Sequence, residues 1–245
     1  MRIAERLHLV MSGGLGMDLT DPLDCNVYLV GASTGWLLFD AGAGRSVDAA
    51  LEAMPAEGID PASITTLFLT HGHADHSAGA ARMRERLGLK VIAGAATAAM
   101  VASGDEDAIS LTAAREAGGY PADYAYRACP VGQIIADGDT QRIGDTRVTA
   151  IATPGHSHDH LAFLIEQPGR RVLVAGDALF HGGRVGVQNV YDCSVPEICR
   201  SVRRLAGFDY EIFLPGHGPF SLRDGRRHAD AAMEHVRRNA CPPSI

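Results

Sequence analysis

The sequence predicts a layered α/β fold whose strand ends gather metal ligands, and three observations point to it. Short apolar runs alternate with stretches in which apolar residues recur at helical spacing. Four of the apolar runs end directly beside His or Asp. One of these ends, Leu67-Phe68-Leu69-Thr70-His71-Gly72-His73-Ala74-Asp75-His76, crowds three His and an Asp together with only Gly and Ala between them, which is the setting a ligand motif needs.

In chain order, residues 2–11 read as a strand and residues 12–25 as a Gly- and Asp-rich loop. Within that loop Gly13-Gly14-Leu15-Gly16 lacks the G-x-G-x-x-G register and no helical pattern comes after it, which excludes a dinucleotide site. Residues 26–30 and 36–39 read as paired strands, the second ending in Asp40-Ala41-Gly42. Val47, Leu51 and Met54 predict an amphipathic helix over 46–56 that leads into the strand before His71. Ala80, Met83 and Leu87 mark another helix, and residues 90–93 a strand. Residues 96–127 are Ala-rich, with a helix expected over 105–118 and a break at Gly118-Gly119-Tyr120-Pro121. This segment either covers a pocket or packs on the outside, and the sequence leaves both open.

Residues 131–135 and 147–152 read as strands, the second running into Thr153-Pro154-Gly155-His156-Ser157-His158-Asp159-His160. Strands are expected next over 160–166 and 171–175, the latter ending in Gly176-Asp177. Ser194 with Glu197, and Pro196 in the first turn, form a capping-box signature for a helix whose apolar face is Ile198, Val202 and Leu205. Residues 211–214 form the last core strand, ending in Pro215-Gly216-His217. A final helix is expected over 224–239, and Pro242-Pro243-Ser244 reads as a frayed end. Residues 36–42 resemble residues 171–177, and residues 67–71 resemble residues 212–217. If this echo marks a duplication, two β-rich halves pack face to face with their ligands along one edge.

Length and composition narrow the function. The 245 residues are long enough for one large domain or two small ones, of which a single domain is expected, and an apolar fraction of 46% is ordinary for a globular chain. A net charge of −7 offers no basic field for nucleic acid or an anionic membrane, so small molecules are the expected partners. The N-terminal residues lack an apolar signal core, and no apolar run reaches the length of a membrane span. The five cysteines are scattered without a C-x-x-C pair, which fits reduced thiols in a cytosolic protein.

Residues i and i+2 of an extended chain point the same way, so His71 and His73 can face one ion, while Asp75 and His76 come where the chain turns into a helix. Adding His156, Asp177 and His217 gives five His and two Asp at four strand ends, more than one tetrahedral ion uses. We expect His71, His73 and His156 on one metal, Asp75, His76 and His217 on a second, and Asp177 between them. The ions are expected to be two divalent metals, Zn2+ first, with Fe or Mn as alternatives.

Residues 70–76, Thr153-Pro154-Gly155-His156-Ser157, Gly176-Asp177-Ala178-Leu179-Phe180 and Pro215-Gly216-His217-Gly218 resemble the metal-binding motifs of the metallo-β-lactamase superfamily. Leu38-Phe39-Asp40-Ala41-Gly42 is similar to that family's early motif, in which the Asp supports the site from behind the ligands. The resemblance runs from about residue 25 to residue 220 and implies a four-layer αβ/βα sandwich with a hydrolytic dinuclear site. It implies a hydrolase that attacks an ester, thioester or lactone carbonyl with a metal-bridging hydroxide, Asp75 orienting it and carrying a proton. Class B1 lactamases place a Cys where this chain has Asp177, which speaks against a β-lactam. Glyoxalase II adds a helical region after the last ligand, and 28 residues lie beyond His217 here, which speaks against glutathione thioesters. Acyl-homoserine lactonases carry a Tyr where this chain has Phe180, and Tyr191 is the available substitute.

Several side chains remain. His160 is expected to support the site from the second rank, and Asp40 to orient rather than ligate. His158 reads as a loop residue, and His181 as either a turn residue or a substrate contact. His8, His228 and His235 read as solvated, and Cys193 as an inert thiol. The rival to hydrolysis is a persulfide dioxygenase, in which the two His of the first motif, His156 and Asp177 would hold a single iron.

Overall fold

In the computed structural model, which describes residues 1–245, the chain divides into two units, Met1–Ile135 and Ala136–Ile245. The first unit is built on a seven-stranded sheet in sequential order. Its strands are β1 (Arg2–Ala4), β2 (Leu7–Met11), β3 (Val27–Ala32), β4 (Gly35–Phe39), β5 (Ile64–Phe68), β6 (Lys90–Ala93) and β7 (Gln133–Ile134). Pairing is antiparallel from β1 to β4 and parallel from β4 to β7. The parallel steps need crossovers, and helices supply them: α1 (Val47–Ala53), α2 (Ala74–Ser77) with α3 (Ala80–Leu87), and α4 (Ala95–Ser103) with α5 (Leu111–Glu116). Val47, Leu51 and Met83 from these helices bury against Val27, Leu29, Leu38, Leu67 and Val91 of the sheet.

The second unit carries a five-stranded sheet in the order β12-β11-β10-β9-β8. The strands are β8 (Thr140–Ile143), β9 (Thr146–Ala152), β10 (Leu161–Gln167), β11 (Arg170–Gly176) and β12 (Ile212–Pro215). Only β11 and β12 pair in parallel, and α6 (Val195–Leu205) makes the crossover between them. Ile198, Val202 and Leu205 of α6, with Ala229, Ala232 and Val236 of α7 (Arg227–Arg237), bury against Ile151, Leu164 and Leu173.

The echo in the sequence has a counterpart in topology. In the run β2-β3-β4-β5 two antiparallel pairings precede a parallel one, and β9-β10-β11-β12 repeats that succession. Asp40 comes after the third strand of the first run and Asp177 after the third strand of the second. His71 and His217 come after the fourth strands by the same reckoning.

Some elements depart from the sequence reading. Residues 2–11 are a hairpin, because Arg6 turns the chain with a left-handed φ of 51°. Strand β8 escapes pattern recognition, since its residues alternate between exposed and half-buried and none reaches the core. The helix expected over 105–118 is shorter, and the Ala-rich α4 precedes it, ended by Gly104 in the left-handed conformation. Ser194 starts α6 as expected but makes no side-chain cap. Its N–H instead donates to the Gly155 carbonyl at 2.7 Å, while Glu197 pairs with Arg200. Residues 243–245 are not frayed: Val185 N–H donates to Pro243 O at 2.9 Å, and Ile245 N–H to Val185 O at 3.1 Å. No helix is long and apolar enough to cross a membrane.

Two histidines read as solvated are buried. His8 sets its ring edge-on against Trp36, with centroids 5.4 Å apart, and burial lowers its pKa. His228 accepts from the Gly182 N–H at 2.9 Å through Nδ1, so its Nε2 carries the proton and donates to Ser221 Oγ at 2.8 Å. Helical periodicity could not separate such a histidine from a surface one, because imidazole suits either face.

Burial, with the nearby His181 and Arg227 adding to it, lowers the His228 pKa from 6.5 to about 4. The unfolded chain therefore binds this proton more readily between about pH 6.5 and 4, and stability falls as pH drops through that window. At about 1.4 kcal/mol per pKa unit the loss is on the order of 3 kcal/mol. Urea midpoints measured from pH 7 to pH 4 should fall along this course, and His228→Gln should flatten the slope while lowering stability at pH 7.

Candidate metal centre

The first unit brings His71, His73, Asp75 and His76 together on the turn between β5 and α2. The rings of His71 and His73 lie 4.6 Å apart and those of His71 and His76 4.2 Å apart. All three are buried, whereas Asp75 is partly open to solvent. Ser77 ties the turn down by donating to Gly72 O at 2.7 Å and His73 O at 3.0 Å.

Behind the turn stands Asp40, 1% exposed, with its backbone in the left-handed region at a φ of 60°. Asp is one of the few residues with a side chain that visits this conformation readily. Asp40 Oδ1 accepts from Thr70 N–H at 2.8 Å, and Oδ2 accepts from Thr70 Oγ1 at 2.9 Å and from His76 Nδ1 at 2.8 Å. Thr70 has one hydroxyl proton and gives it to Asp40. Its oxygen must then accept from His71 Nδ1, 2.9 Å away. Both imidazoles are thereby fixed as the Nδ1–H tautomer, and both carry a lone pair on Nε2.

Cys25 is also fully buried and touches His76. Burial pushes its thiol up to about 12.

The second unit brings His156, Asp177 and His217 together. Asp177 Oδ2 lies 3.4 Å from His156 Nε2 and 3.4 Å from His217 Nε2. The Gly186 carbonyl can only accept, so His156 donates to it through Nδ1 at 3.1 Å. A Cβ at residue 186 would stand 2.6 Å from that nitrogen, which requires glycine there. Gly155, with a φ of 140°, passes under α6, where a Cβ would meet the Ile198 nitrogen at 2.4 Å.

His160 acts through the backbone. Asp177 N–H donates to His160 Nε2 at 2.9 Å, leaving Nδ1–H to donate to Thr153 Oγ1 at 2.8 Å. His158 and Tyr191 are exposed, with rings 5.7 Å apart, and Phe180 is buried with its ring 6.2 Å from that of His217.

The donor chemistry fits metal ions. A neutral His156 tied through Nδ1 turns its Nε2 lone pair toward a carboxylate oxygen, and His76 does the same toward Asp75 Oδ2 at 3.5 Å. Lone pairs that face each other repel, and a cation between them converts the repulsion into coordination. Sequence reasoning missed Thr70, Thr153 and Gly186 as supports for these side chains. The two threonines each sit near a motif His, a usable signal. The Gly186 carbonyl has none, because it is backbone 30 residues away.

The family model of the metallo-β-lactamase superfamily matches residues 20–217. The chain belongs to that superfamily. An atrochrysone carboxyl ACP thioesterase from Aspergillus fumigatus is 28% identical over 79% of this chain and 50% of its own length. A hydroxyacylglutathione hydrolase from Acidiphilium cryptum is 29% identical over 80% of this chain and 68% of its own length. The chain thus spans about half to two thirds of the length of these relatives.

Among solved structures, a metallo-β-lactamase of Cronobacter sakazakii superposes with a TM-score of 0.70 at 24% identity, covering 89% of this chain and 80% of its own. The FEZ-1 metallo-β-lactamase of Legionella gormanii gives 0.71 at 19% identity, covering 97% and 94%. At such identities these structures establish the fold alone: the α/β fold of the metallo-β-lactamases. Family and donor set together call for divalent metal.

Replacing Asp40 with Asn removes the charge that orients His76 and, through Thr70, His71. Metal affinity measured by chelator competition should fall about 10- to 100-fold, with the far-ultraviolet circular dichroism retained.

Proposed function

We propose that the protein is a metal-dependent hydrolase of small thioesters, with esters and lactones as the neighbouring substrate classes. In this reading His71, His73 and His156 would hold one divalent ion, zinc by expectation, and Asp75, His76 and His217 a second, with Asp177 as a donor available to either. The two units then serve as one domain, in a cytosolic protein with small-molecule substrates. The observation that carries the reading is the paired arrangement of back-tied imidazoles against carboxylates, found once in each unit.

When bound, such ions would polarise a carbonyl and acidify water from a pKa of 15.7 toward about 7, giving a nucleophile at neutral pH. The chain supplies the rest. Asp40 and Thr70 hold His71 and His76 as neutral, oriented donors. His160 fixes the backbone of Asp177. Asp75, which is partly open to solvent, would orient the attacking water and carry its proton toward the leaving group. Thioesters stand first because the relatives include thioesterases and hydroxyacylglutathione hydrolases.

Metal analysis of the purified protein should find two zinc-like ions per chain. Stripping them with a chelator should lower thioester hydrolysis more than about 100-fold, with zinc restoring it. Asp75→Ala, loaded to full occupancy, should lose about 100-fold or more in kcat. A single iron with oxygen uptake on a persulfide would replace this reading with the oxidative one, and unchanged turnover in Asp75→Ala would remove the role given to that carboxylate.

A further inference from the structure

Residues 243–245 run alongside the stretch 184–187 of their own unit. On one side of that stretch Phe180 N–H donates to Arg184 O at 2.8 Å. On the other, Val185 N–H donates to Pro243 O at 2.9 Å and Ile245 N–H to Val185 O at 3.1 Å, which makes a parallel bridge between Val185 and Ser244. Arg184 Nη1 donates to Ser244 O at 2.8 Å, and Val187 N–H to Ser244 Oγ at 3.2 Å. These residues hold on by hydrogen bonds rather than by burial: Pro243 and Ser244 are exposed, and Ile245 is 56% exposed. Val185, which they grip, is fully buried in the core of the unit.

The stretch held in this way contains the acceptor behind His156. A peptide group is planar and trans, so the Gly186 carbonyl and the Val187 N–H belong to one rigid plate and point in opposite directions. His156 Nδ1 donates to one edge of that plate at 3.1 Å, and Ser244 Oγ accepts from the other. Glycine is the residue whose backbone turns most freely, so Gly186 does not itself fix the tilt of the plate. The neighbours fix it: two bonds clamp Val185, and Ser244 grips the Val187 edge. A tilted plate would withdraw the carbonyl from Nδ1, and the neutral imidazole could then move its proton to Nε2. His156 would lose the lone pair that it turns toward Asp177 Oδ2, 3.4 Å away.

We propose that Ser244 is a positioning residue, which, with its neighbours 243 and 245, holds the Gly186–Val187 peptide so that its carbonyl fixes the tautomer of His156. The proposal rests on His156 being a metal donor, and its test separates the two. Nitrogen NMR of the metal-free protein in mildly alkaline solution, where imidazoles are neutral, reads the tautomer directly. The His156 signals are assigned by their loss in His156→Gln. Wild type should show the Nδ1–H form alone. A chain shortened to Pro243 should show a mixture of tautomers, Ser244→Ala a smaller share of the second form, and Ser244→Thr, which keeps the hydroxyl, the wild-type signals. Zinc affinity by chelator competition should fall about 10-fold in the shortened chain and about 3-fold in Ser244→Ala. Val236→Ala, which loosens the core of the same unit, should lower the melting temperature and leave the His156 signals and the zinc affinity unchanged. Unchanged His156 signals in the shortened chain overturn the proposal, as does an equal change in Val236→Ala. If the shortened chain does not fold, Ser244→Ala against Ser244→Thr decides, and wild-type signals in both overturn it. A shifted tautomer with full zinc affinity upholds the hold on His156 and removes that histidine from the donor set.

Discussion

The buried carboxylate of Asp40 is the constraint on which the rest of the first unit depends. A carboxylate taken out of water is tolerated only when its oxygens are well supplied with donors, and Thr70 and His76 supply them. Those bonds join the end of β4 to the turn after β5, two strands that already run parallel side by side. The sheet thus sets where Asp40 and the His turn meet, and the hydrogen bonds set which nitrogen of each imidazole looks outward. Satisfying one buried carboxylate and orienting two imidazoles are the same act.

The second unit solves the same problem with different parts. A backbone carbonyl, from Gly186, replaces Asp40 as the acceptor behind a ligand histidine. A histidine, His160, receives the backbone proton of Asp177 and passes the directional constraint on to Thr153. In both units a threonine next to the motif reads out a tautomer, because its hydroxyl can accept from one neighbour only while donating to another, or accept from an N–H outright. Segment 243–245 reinforces this arrangement by pairing with Val185, the residue before Gly186.

The legible part of the molecule was the part written in side-chain pattern. Strands buried on both faces, such as β3, β10 and β11, appear as apolar runs, and the candidate donors come just after β5, β9, β11 and β12. Family motifs sharpened that reading to seven residues and Asp40. The elements that escaped were carried by exposed strands, by backbone or by residues with two natures. β8 buries nothing, so it leaves no hydrophobic mark. The Ser194 and Glu197 spacing matches a capping box, yet Ser194 bonds to Gly155 through its backbone N–H and the Glu197 side chain pairs with Arg200. His228 looks like a surface residue in a helical pattern, and the Gly182 N–H, the Ser221 hydroxyl and the Phe213 ring account for its burial.

The repeated succession of strands gives the chain two stations of the same kind, occupied by Asp40 and Asp177, with unequal duties. One turns its oxygens backward to steady an imidazole, and the other turns an oxygen forward between two imidazoles. A carboxylate at such a corner is therefore not committed by topology to binding an ion. Its vocation is settled by the turn at the end of the neighbouring strand: four donors crowd together after β5, whereas a lone histidine stands after β12. Division of labour between twin corners lets one architecture tune the grip on its ions from behind while leaving the forward face free to diverge with the substrate.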